Sequence, residues 1–111
     1  VRGGEVTLAT LQEEQNAWSN HNFPNRKPYQ PILGALEELG ELAHAHLKGE
    51  QGIRGEKEKH TADAKDAVAD VVIYLSDYCS QMGFDFNSIV WETWEQVKQR
   101  DWVKYPEKGK P

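Results

Sequence analysis

Nine residues past the middle of the chain, Ala67-Val68-Ala69-Asp70-Val71-Val72-Ile73-Tyr74-Leu75, are apolar on nearly every side and carry one carboxylate. Helical residues recur every 3.6 positions, so a helix with Ala67, Val68, Val71, Val72, Leu75, Tyr78, Cys79 and Met82 is apolar on more than one face. Such a helix is buried among several neighbours. In a chain of 111 residues, which buries only about 60–70% of its unfolded surface, that predicts an all-α, four-helix bundle completed by oligomerisation.

Asp70 interrupts this run. An ionised carboxylate buried without a partner costs several kcal/mol, or takes up a proton, so buried charges are paired or bind metal. An Asp that caps, pairs with one Lys or faces solvent is the plainer alternative. Asp66 lies one turn earlier on the same helix face, at i−4. Upstream, Glu37-Glu38-Leu39-Gly40-Glu41 places Glu38 and Glu41 on a common face at i, i+3. Two helices that each present a carboxylate pair can build an all-oxygen site suited to Mg2+ or Mn2+.

The rest of the chain falls around these helices. Thr7 or Thr10 caps a first helix to about Trp18 or Asn20. A polar, proline-punctuated loop, 19–28, follows; its Trp18, His21, Asn22 and Phe23 can stack on and hydrogen-bond a planar ring, or simply connect helices. The second helix runs from about Pro31 to Lys48 with the stripe Ile32, Leu36, Leu39, Ala43 and Leu47. Gly34 and Gly40 mark close approach of a backbone or ligand. Residues 49–59, with three glycines, read as a mobile loop whose Arg54, Lys57 or Lys59 can reach a bound anion. Thr61 caps the third helix and Gly83 ends it. Asp85 or Asn87 caps a fourth, to about Trp102, with Val90, Trp94 and Val97 inward and Lys98 and Arg100 in its last turn. Residues 1–111 form a single domain, with 1–5 and 105–111 flexible.

Composition excludes several classes. A net charge of −5 and a pI near 5.3 oppose nucleic-acid binding, which needs a basic footprint. The single Cys79 rules out an intrachain disulfide framework and a cysteine-based zinc site, and reads as a core filler. No apolar run approaches the ~18 residues of a membrane span, and no signal peptide is visible, which predicts a cytoplasmic protein with no membrane partner.

Glu37-Glu38-x-x-Glu41, a loop, and then Asp-Val-Val-Ile-Tyr-Leu from Asp70 resemble the MazG-like nucleoside triphosphate pyrophosphohydrolases, the all-α superfamily that includes dimeric dUTPases and dCTP pyrophosphatase. The resemblance extends over roughly Trp18 to Trp102 and takes in Gly83-Phe84-Asp85-Phe86. It implies Mg-dependent hydrolysis of a nucleoside or deoxynucleoside triphosphate to the monophosphate and pyrophosphate. It assigns Mg2+ ligation to Glu38, Glu41 and Asp70, with Glu38 or Glu41 orienting or deprotonating the attacking water and Glu37 orienting a ligand or that water. The family's second motif is Glu-x-x-Asp, and here Ala67 replaces that Glu. Asp66 is the nearest substitute, but a shorter side chain turned by ~100° cannot occupy the same position. Lys98, Arg100 and Arg54 are implied phosphate contacts. Trp18, His21 and Asn22 are implied base contacts. A homodimer or homotetramer is implied as the assembly.

Two readings of other classes use the same acids. Glu41-Leu42-Ala43-His44 has the Glu-x-x-His spacing of di-iron carboxylate bundles, which need a second such element. The third helix has none, and His44 and His46 then read as surface or loop-facing. A non-enzymatic helical bundle that has lost its site is the other.

Overall fold

The computed structural model describes residues 7–111; the segment 1–5 expected to be flexible lies outside them. Four α-helices follow in order: α1 (Leu8–Asn22), α2 (Tyr29–Gln51), α3 (Lys57–Met82) and α4 (Phe86–Val97). They form an all-α bundle around α3, which packs against each of the other three, most extensively against α2. The helix built on the apolar run is thus the central one.

The helix ends follow local chemistry. Thr7 rather than Thr10 caps α1, its hydroxyl accepting from the Thr10 amide at 3.1 Å. That bond satisfies one of the amides a helix start leaves unpaired. The helix outlasts the expected end at Trp18 or Asn20 and stops at Asn22, just before Phe23-Pro24, because a residue preceding proline is pushed out of the helical region. In α2 the side chain of Gln30 reaches back to accept from the Lys27 amide at 2.8 Å. The helix ends on Gly52 in the left-handed region, φ 69°.

Residues 49–59, expected to form a loop, are mostly helical. Only 52–56 connect α2 to α3, and a ring nitrogen of buried His60 lies 3.0 Å from the Ile53 carbonyl across that turn. Thr61 does not cap α3, which begins a turn earlier after Glu56. Gly83, φ 73°, closes α3 with the Phe84 amide donating to the Cys79 carbonyl at 2.8 Å, the bond pattern of a Schellman end. Asp85 caps α4 through the Ser88 amide at 3.0 Å. That helix ends at Val97, short of Trp102. Beyond it Asp101 Oδ1 accepts from the amides of Val103 and Lys104 at 3.1 and 2.8 Å, an alternative to helix continuation that aspartate offers its own backbone. The tail expected to be flexible folds back here: the Asp101 amide donates to the Gly109 carbonyl at 2.8 Å.

The core is built of small residues. Ala35, Ala45, Ala67, Cys79 and Phe86 are its buried apolar members. Between α2 and α3, Pro31, Ala35 and Ala45 face the partner helix in place of the expected leucine stripe. Ile32, Leu36, Leu39 and Leu47 are instead about half exposed, and so are Val68, Trp91 and Trp94. The cause is geometric: alanine and glycine let two helices approach closely, which turns the bulky residues of α2 outward. The Cα radius of gyration is 17.5 Å, against about 13 Å expected for a compact chain of this length.

Candidate active site

Close approach of α2 and α3 leaves a groove of about 460 Å3 along their seam. Buried Ala45 and Ala67 lie along it. Glu38, Glu41 and His44 line it from α2, and Asp63, Asp66 and Asp70 from α3. The spacing explains this. Residues 38, 41 and 45 repeat at i, i+3 and i+7, as do 63, 66 and 70, so each set shares one face. Glu38, Asp63 and Asp70 are half-buried, whereas Glu41 and Asp66 are exposed. Asp70 is therefore only partly withdrawn from water, because the apolar residues around it lack the covering partners the sequence anticipated.

Among the described residues, five carboxylates and no lysine or arginine line this groove. Their mutual repulsion shows at Glu38, whose carboxyl is raised above its ordinary 4.5 by burial first, then by the charges of Glu41 and Asp70, a hydrogen bond with Glu41 and the charge of Glu37. Tyr74 is likewise raised, by burial and then by Glu38, Glu37, Asp70 and Glu41, which keeps its hydroxyl neutral. Among the described residues, no three His, Cys, Asp or Glu side chains are gathered closely enough to hold an ion as they stand. The donor set itself is hard oxygen with one imidazole, which suits Mg2+ or Mn2+. Asp63 already has a partner, Lys59 at 2.8 Å.

The groove opens into a larger cavity of about 750 Å3, with Glu38 and Asp70 lining both. Trp18 and Phe23 meet edge to face there, centroids 5.7 Å apart. Ile73, Tyr74, Pro31 and Gly34 add apolar wall, and Gln15, Ser19, Asn25 and Gln30 add polar groups. Among the described residues the cavity's one cation is Arg26, neutralised by Asp77 at 2.8 Å.

Of the residues expected to touch a base, Trp18 lines this cavity; His21 and Asn22 do not. Both are exposed in the last turn of α1, and Asn22 Nδ2 donates to the Trp18 carbonyl at 2.9 Å. Glu37 is exposed beside the groove without lining it. Arg54 sits in the α2–α3 turn at φ 62°, beyond the end of α2, which is about 15 Å from Glu41 by helix rise. Lys98 is paired with Glu95 at 3.0 Å. Arg100 follows α4, a helix that makes no contact with α2. None of these three cations lines the groove or the cavity. Gly34 does mark a close approach, with Tyr74, whereas Gly40 faces open space.

Sequence reasoning missed Gln15, Arg26, Tyr74, Asp77 and Asp63; His44 is exposed, as expected of a surface residue, and also lines the groove. A signal existed for some: Asp70, Tyr74 and Asp77 fall at i, i+4 and i+7. Arg26 had none, because its partner lies 51 positions away. Cys79 is buried, and burial raises its thiol above the ordinary value, in keeping with a core role. No helix among the described residues is long and apolar enough to cross a membrane. Comparisons with protein-family models, curated proteins and solved structures gave no match.

Proposed function

We propose that the chain is a metal-dependent nucleoside triphosphate pyrophosphohydrolase, cleaving a (d)NTP with water to the monophosphate and pyrophosphate. One observation carries this reading. An acidic groove and an aromatic-walled cavity meet at Glu38 and Asp70, matching a ligand with a planar ring at one end and a cation-bound polyanion at the other.

Glu38, Glu41 and Asp70, with Asp66 alongside, would hold Mg2+ or Mn2+. Bound there, the cation neutralises triphosphate charge and lowers the pKa of a water. Among the described residues no lysine or arginine lines the groove to meet phosphate, so five carboxylates would repel the substrate without an added positive charge. Glu38 or Glu41 would orient or deprotonate the attacking water, and Glu38 lines both the groove and the cavity. Trp18 and Phe23 offer stacking faces to the base, and the neutral Tyr74 hydroxyl offers a donor beside the acids.

Self-association belongs to the same reading. The chain exposes 8471 Å2, against about 6,200 Å2 expected for a folded monomer of this mass. The excess per chain is well above the roughly 800 Å2 that each partner buries in a standard-sized interface and falls in the range of large obligate ones, and the chain carries outward-facing leucines and tryptophans. A homodimer or homotetramer would cover them.

The decisive test is pyrophosphate release from the eight common NTPs and dNTPs with Mg2+, in wild type, Glu41→Gln and Asp70→Asn. Metal-dependent release that both substitutions abolish supports the hydrolase. No release from any nucleotide by folded protein rejects it in favour of a non-enzymatic bundle. His44 and Glu41 line one groove, which favours a di-iron carboxylate site as the second reading; iron-dependent visible absorbance would be its mark.

A further inference from the structure

One wall of the cavity is the α1–α2 connection, where Phe23, Pro24 and Asn25 are all exposed. One side chain ties it down. Arg26 Nε donates to Asp77 Oδ1 at 2.8 Å, one Nη to Asn20 Oδ1 at 2.9 Å and to the Phe23 carbonyl at 3.3 Å, and the other Nη to Asn16 Oδ1 at 3.2 Å. The second oxygen of Asp77 accepts from Gln81 Nε2 at 3.1 Å. The Arg26 and Asp77 side chains are only 10% and 7% exposed. The fork therefore joins α1, the connection and α3 at one buried point. With Asp77 in contact, it presents no net charge to a ligand.

We propose that Arg26 is a positioning residue that fixes the Phe23–Asn25 wall and thereby sets affinity for the nucleotide base, without acting on phosphoryl chemistry. This rests on the reading of the cavity as the base site. Two features separate the roles. Asp77 lies two turns beyond Asp70 on α3, about 10 Å away by helix rise, so the clasp and the acidic groove occupy opposite ends of the cavity. Phe23, whose carbonyl the clasp grips, is also the ring against which Trp18 packs. Loosening the clasp misplaces a stacking face and leaves Glu38 and Asp70 where they are. A planar donor whose three nitrogens reach four separate acceptors is needed for this, which lysine cannot supply even where it keeps the charge.

The test pairs Arg26→Lys, which retains a cation for Asp77, with Asn20→Ala, which removes one acceptor of the fork; both are checked for folding by thermal melting. Binding of 2′-deoxynucleosides is measured without metal by NMR titration, and steady-state kinetics are measured with Mg2+. Arg26→Lys is expected to weaken nucleoside binding about tenfold, the scale of one lost stacking contact. KM should rise in parallel while kcat stays within about twofold of wild type, and Asn20→Ala should show a smaller shift of the same kind. Unchanged nucleoside affinity in folded Arg26→Lys overturns the proposal, as does a fall in kcat at constant KM, or wild type that binds no nucleoside. Wild type that binds nucleosides but releases no pyrophosphate sinks the hydrolase reading alone, and the titration still decides the role of Arg26.

Discussion

Tyr74 lies against the bare backbone of Gly34: a Cβ built on that glycine would stand 2.5 Å from Tyr74 Cζ. No real side chain tolerates that distance. The contact fixes the separation of α2 and α3 beside the cavity, and Tyr74 is one turn from Asp70 on the same face. Gly34→Ala should therefore destabilise the fold by about 1–3 kcal/mol through overpacking, despite the ~1 kcal/mol that alanine contributes to helix propensity. Thermal unfolding measures the loss. In the Gly34→Ala/Tyr74→Ala double variant the added methyl should cost less than it does alone.

Glu38 gives a pH dependence with a definite sign. Its folded carboxyl is raised above its ordinary 4.5, so ionisation opposes folding, and the opposition is complete above the raised value. As pH falls from there toward 4.5, metal-free protein should gain stability relative to Glu38→Gln. The melting-temperature difference between the two, followed across that window, checks it; a parallel pH course in both would contradict the assignment.

Divalent cations should raise the melting temperature of wild type in a concentration-dependent way, because a ligand that binds only the folded state stabilises it by mass action. Mg2+ is expected to act at the groove carboxylates. Asp70→Asn and Glu41→Gln should blunt the shift, and Lys98→Ala should leave it intact, since Lys98 lines neither the groove nor the cavity. Differential scanning fluorimetry with and without EDTA resolves these outcomes.

Trp18→Ala should raise KM roughly tenfold, within the 1–3 kcal/mol range of base–aromatic stacking. His21→Ala should leave KM near wild type, because its side chain does not line the cavity. Initial-rate kinetics on the best nucleotide compare the two.

Leu36, 64% exposed, is the most solvent-facing of the α2 leucines. Leu36→Lys should shift sedimentation velocity toward smaller species while the helical circular dichroism is preserved. An unchanged distribution would place the interface elsewhere.

The carboxylate groove was largely legible in the sequence because it depends on local spacing. Glu38 with Glu41, and Asp66 with Asp70, needed only helical periodicity to share faces, and Gly83 and Asp85 declared their helix ends through backbone chemistry. Asp63 and His44 were reachable by the same arithmetic, one turn along from Asp66 and Glu41. The α2 leucine stripe misled for a tertiary reason: periodicity says which residues share a face, not which face another helix chooses. Gly34, Ala35 and Ala45 offered the closer approach.

The sequence by itself determined the helices, their order around a central apolar segment and the acidity of two helix faces. These follow from 3.6-residue periodicity and from turn and capping chemistry acting within a few residues. Only the tertiary structure decided that the groove continues into an aromatic cavity, and that Arg26 is bound to Asp77 across 51 positions. It also decided that the bulky leucines face outward. Each of these depends on how closely two helices approach, which is set by the volumes of side chains meeting from distant parts of the chain.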